Sequence, residues 1–135
     1  MLNEWKVGTG FEKISYSTIN SSSAIGLISM SEFSEINWLN GGRAAQRAWL
    51  CAAKHQLALQ PISAPLFLNL QMLIGGESNF NPSEREQLEE IYSNLKTIFS
   101  NLTSDKGVFL FRLSHAGAPS TRSLRKDISD LFYKI

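Results

Sequence analysis

Side chains able to do chemistry are few in this sequence, and most of them lack partners at useful spacing. Its two histidines, His55 and His115, lie sixty residues apart with no carboxylate pair at ligand distance in sequence, so a metal centre is not expected. The single cysteine, Cys51, sits among alanines in "AWLCAAK", a setting for a small apolar residue rather than a thiolate nucleophile. No Gly-x-Ser-x-Gly turn is present. Gly8-Thr9-Gly10 does not extend into a dinucleotide fingerprint, and there is no phosphate-binding P-loop. Glu84, Glu86, Glu89 and Glu90 crowd the start of one predicted helix, where they complement its dipole as a solvated face.

Two groups remain. Arg122, Arg125 and Lys126 in "TRSLRK" stand at the start of a predicted last helix, where cations oppose the helix dipole. An anion shared between the guanidinium groups and free backbone N–H groups would offset that cost, and a solvated basic turn accounts for the same residues. In "LQPISAP", Pro61 and Pro65 fix an extended, stiff path. Such a path suits packing of backbone against a flat ligand, or serves as a rigid connector.

The elements that must position these groups are read from periodicity. Residues 1–22 read as an irregular N-terminal segment with room for a short strand, and Ala24 to Met30 as a short buried strand. "SEFSEINWLN" reads as a turn or short helix. Gly41-Gly42 punctuates, and a helix is predicted from Arg43 to Leu57, with Arg43, Arg47 and Lys54 on one narrow stripe and alanines over much of the rest. Small residues let a backbone approach closely, so a neighbouring helix or a second subunit is expected against it. The stripe is compatible with solvent, a partner subunit or a cofactor. "LFLNLQMLIGG" is a strand or a short helix, which periodicity does not decide.

"NPSEREQLEEIYSNLKTIFSNL" carries the strongest helix signal: a capping box from Asn81 with Glu84 or Ser83 with Glu86, Pro82 in the first turn, and an apolar face of Leu88, Ile91, Tyr92, Leu95, Phe99 and Leu102. "VFLFRLS", residues 108–114, is apolar on both faces except at Arg112 and Ser114 and reads as a central strand. A last helix places Leu124, Ile128, Leu131 and Phe132 on one face. The result is a single α+β domain over residues 1–135, a few-stranded sheet packed with helices.

Composition narrows the class. With 43% hydrophobic and 19% charged residues the chain is expected to fold. A formal charge of +1 gives no general attraction to nucleic acid or anionic lipid. One cysteine fits a reducing, cytoplasmic setting, no run reaches the length of a membrane span, and Met1 to Trp5 does not read as a secretory signal.

"GGRAAQRAWLCAAKHQLALQPISAP", residues 41–65, resembles the helix and following turn of the nitroreductase-like FMN flavoproteins: Gly-Arg-Ala, a Gln, small and apolar residues, then a Leu-rich exit into a proline-containing turn. Within that superfamily it is most similar to a divergent subgroup of NAD(P)H nitroreductases. There, a late strand and a proline-containing loop lead to an Arg, and "FRLSHAGAPSTRSLRK" is the corresponding stretch. The likeness covers about residues 23–126 and only the C-terminal half of the family fold; nothing in residues 1–40 matches the family's opening Arg-x-Ser-x-Arg segment. The resemblance implies a partial nitroreductase-like domain in which Pro61, Ile62 and Ser63 lie beside the flavin ring and Arg122 or Arg125 contacts the FMN phosphate. It also implies a homodimer with the 43–57 helix at the interface. The activity implied is that of an FMN-dependent oxidoreductase taking hydride from NAD(P)H, the chemistry residing in the cofactor. A non-catalytic module that keeps the dimer or binding role without flavin is the alternative.

Overall fold

The computed structural model describes residues 16–75, 80–103, 106–115 and 117. Within them the element order is β1 (Ala24–Met30), α1 (Glu35–Lys54), β2 (Leu57–Pro61), α2 (Ala64–Ile74), α3 (Pro82–Ile98), a 3-10 turn (Ser100–Thr103) and β3 (Lys106–His115). The α+β class stands. So does the central place of the Phe-rich strand: β3 lies between β1 and β2 and is antiparallel to both. The predicted last helix over 124–132 lies outside the described residues.

Alternation along β3 directs Phe109, Phe111 and Leu113 to one face, where they pack with Ile28, Leu57 and Leu59 against Ala48 and Ala52 of α1. Pairing slips once: Ile28 faces Phe109 but Ser29 faces Gly107, leaving Val108 as an extra residue in a bulge. Val108 meets α1 at Gly41, where a Cβ would lie 2.8 Å from its Cγ1. Helix and bulge therefore approach more closely than any other residue at 41 permits.

The structure departs from the sequence reading in three places. Residues 16–20, inside the segment read as irregular, are helical. Thr18 closes that turn, its carbonyl accepting from the hydroxyls of Ser21 and Ser22 and from the Arg112 guanidinium. Secondly, α1 begins eight residues earlier than Arg43 and runs unbroken through Gly41-Gly42. Its true cap is Ser34, whose hydroxyl accepts from the Asn37 N–H. Close packing on the sheet, not a chain break, accounts for glycine at 41.

The third departure concerns the exit. The helix stops at Lys54; Gln56 takes a positive φ of 57°, and the chain turns straight into a strand. Leu57–Pro61 pairs with β3, Pro61 opposite Phe111, so the stretch read as a turn begins as an edge strand, Leu59 to Pro61, and ends in the first turn of the next helix. Proline is tolerated there because an edge leaves every second N–H without a ladder partner.

The other layer is α2 and α3. "APLFLNLQMLI" is a helix with Pro65 in its first turn. Leu66 and Leu102 converge on Gly107 of β3, where a Cβ would come within 2.7 and 3.2 Å of their methyl groups. α3 starts at the predicted box, with the Asn81 carboxamide accepting from the Glu84 N–H and the Glu84 carboxylate accepting from the Asn81 N–H, both at 2.9 Å.

Candidate functional site

The sequence points to the passage from β2 into α2, and local chemistry makes that passage rigid. Pro61 is exposed and Ile62 half-buried. Ile62 N–H donates to the Leu110 carbonyl at 2.8 Å, continuing the ladder one residue past the strand. Ser63 is buried, and its hydroxyl both donates to the Leu110 carbonyl and accepts from the Leu110 N–H, each at 2.9 Å. A side chain here takes the place of a backbone pair, clamping the corner to the central strand. The hydroxyl is thereby committed; whatever Ser63 offers a ligand comes from its backbone. Pro65, two residues later, fixes the first turn of α2, while the Ser63 carbonyl accepts from the N–H groups of Leu66 and Phe67. The corner thus presents an exposed proline and a pinned backbone to its open side.

Arg122 and Arg125, expected at an anion, lie outside the described residues, as does Lys126. Of the expected cofactor contacts, the structure brings together Pro61, Ile62 and Ser63.

The helix before the corner differs from expectation in the use of its faces. Gly41, Ala45, Ala48 and Ala52 form a stripe of small residues at spacings of three and four, and Gly41 and Ala52 are buried. That stripe meets the chain's own sheet, not a neighbouring helix. On the opposite face, Ile36, Leu39, Arg43, Arg47, Leu50 and Lys54 follow one another along the helix. All are exposed, the three apolar ones by 61%, 60% and 61%. Sequence reasoning finds the cations of this face but misses Ile36 and Leu39, because the predicted helix begins after them.

The remaining candidate side chains belong to the end of α1 and the end of β3, away from the residues of the corner, and the His55 N–H donates to the Cys51 carbonyl at 3.1 Å. Cys51 is exposed on α1 and not buried among the alanines. His55 caps the C-terminus of the same helix and His115 ends β3, both exposed. Among the described residues no group of three potential ligands gathers for a metal, and no helix is long and apolar enough to cross a membrane.

No family model matches the chain, and no solved structure matches it. Over 128 residues, 93% of the chain, it is 29% identical to the uncharacterized protein MT1398 of Mycobacterium tuberculosis (strain CDC 1551 / Oshkosh). The chain spans 17% of the length of that curated relative.

Proposed function

We propose that the chain is part of an FMN-dependent, nitroreductase-like oxidoreductase that passes hydride from NAD(P)H through the flavin to an acceptor, in the cytoplasm. The observation that supports this reading is the corner at Pro61, Ile62 and Ser63. Two backbone groups of Leu110 hold it through three hydrogen bonds, which gives a planar ring a fixed edge to lie against. A preorganised edge lowers the ordering cost of binding. Its residues fit a flavin as a wall rather than as a set of side-chain donors, since the Ser63 hydroxyl is committed inward. The phosphate would be met by Arg122 or Arg125 as a charge-assisted pair. Bound FMN would supply the redox chemistry; the chain would supply the edge, the anion contact and the exclusion of water on one side.

The outer face of α1 supports the homodimer in the same reading. Three exposed apolar side chains in line, spaced by Arg43 and Arg47, suit an isologous helix contact. That observation by itself favours the second reading, a nitroreductase-like dimerisation or binding module without flavin, because the face exists whether or not a cofactor is held.

Titration of FMN with the purified chain, read by quenching of flavin fluorescence, separates the two. Saturable quenching that a Pro61→Gly, Ser63→Ala variant weakens is expected from the oxidoreductase. A stable dimer by light scattering with no quenching, in this chain and in any longer protein containing it, rejects the flavin reading and leaves the module. A monomer without quenching rejects both.

A further inference from the structure

Between α2, α3 and the start of β3 lies a cavity of about 360 Å³ that none of Pro61, Ile62 and Ser63 lines. Its size falls in the range of small-molecule sites. The floor is apolar: Leu66 and Leu102 meet over Gly107, and Leu70 and Met72 continue the wall. Set into this wall is one buried polar side chain, Asn69, which is only 9% exposed and lines the cavity. A carboxamide carries two donors and an acceptor with two lone pairs that can each take a partner; among the described residues no fully buried side-chain nitrogen or oxygen is left without one. A molecule that enters the cavity can supply a further partner.

Charge narrows the class of that molecule. Among the described residues, Lys96 and Lys106 line the cavity against one carboxylate, Glu89, an excess of one positive charge. Lys106 is half-buried at the first position of β3, and the exposed Lys96 sets its ammonium over the Tyr92 ring at 5.0 Å from its centroid, a cation–π contact with a ring that also lines the cavity.

We infer that this cavity binds a small apolar carboxylate, its tail against Leu66, Leu70 and Leu102 and its head between Lys96, Lys106 and the Asn69 amide. An acid of this kind satisfies both halves of the site: the apolar wall excludes strongly hydrated anions such as free phosphate, and the lysines disfavour amines. The inference rests on the cavity alone and not on the flavin reading.

Methionine-methyl labelling of the full chain provides the test, since only three methionines are present and, of the two in the described residues, Met72 is on the cavity wall and Met30 is not. Octanoate, octylamine and 1-octanol are titrated in turn. Octanoate is expected to move the Met72 methyl signal saturably and further than the Met30 signal, and to bind at least about tenfold more tightly than the amine or the alcohol. A Lys96→Gln, Lys106→Gln variant should lose about that preference while its octanol affinity is unchanged, and Asn69→Leu should weaken octanoate more than octanol. A Met72 signal that octanoate does not move, or equal affinity for the three probes, overturns the proposal. Because no flavin is added, failure here leaves the FMN titration unaffected, and the reverse also holds.

Discussion

α1 and α3 are helices of similar length made in opposite ways. α3 has everything a helix needs from its own sequence: a reciprocal capping box, proline in the first turn, Glu84 at the positive end and Lys96 near the negative one. Yet none of its residues is buried. α1 carries two consecutive glycines in its middle, each costing about 1 kcal/mol relative to alanine in a helix interior. It is nevertheless buried at Gly41 and Ala52 and supplies one wall of the core. One helix is specified locally and packs lightly; the other is specified by what it touches.

That contrast can be broken or sharpened by substitution, with urea midpoints as the common readout. The largest effect is expected where the α3 layer is most deeply buried among the described residues. Leu102, 2% exposed in the turn after α3, should cost about 2–5 kcal/mol when replaced by alanine; a loss below about 1 kcal/mol would mean that the layer barely packs. Next, Gly41→Leu drives a side chain into Val108 and should cost about 1–3 kcal/mol in spite of leucine's better helix propensity. Asn81→Ala removes the reciprocal cap and should cost about 1 kcal/mol, and an unchanged midpoint would show that α3 does not depend on its local signals. Gly42 is open: apart from its chain neighbours and its own helix backbone, no atom of the described residues lies within 4 Å of the place a Cβ would take, and Gly42→Ala should gain about 0.5–1 kcal/mol. Opposite signs at two adjacent glycines would establish that contact, not propensity, fixes α1.

The smallest expectation concerns pH. Tyr92 has its phenol raised above 10.0 by burial, so the folded state prefers the neutral form. That contribution is fully present below the unfolded value and is lost as pH rises through the folded one. Wild type should therefore lose stability more steeply than Tyr92→Phe above about pH 10, and parallel curves would count against burial of the hydroxyl.

How much is legible in the sequence follows the same division. α3, β1 and the central strand are legible as elements because cap, alternation and period all lie within a short window, but β1, read as buried, is an edge strand buried only at Met30. β2 is not: Pro61 is a turn signal in sequence, and only pairing with β3 makes it an edge residue. The start of α1 is hidden by Gly41-Gly42, and the reason for glycine at 41 is Val108, sixty-seven residues away in the chain. At the corner, the positions Pro61 to Ser63 are legible as a rigid path, but the commitment of the Ser63 hydroxyl to Leu110, forty-seven residues on, has no local signature. The cavity leaves no sequence trace, since Asn69, Lys96 and Lys106 come from three separate elements.

The proline that ends β2 has one further effect. Ile62 points its N–H inward to Leu110, so by alternation the ring nitrogen of Pro61 faces the open side of the sheet. It stands where another chain's carbonyl would otherwise find a donor. In a strand of only five residues, one missing donor removes much of the template for edge-to-edge growth, and residue 61 becomes a safeguard against fibrillar self-association.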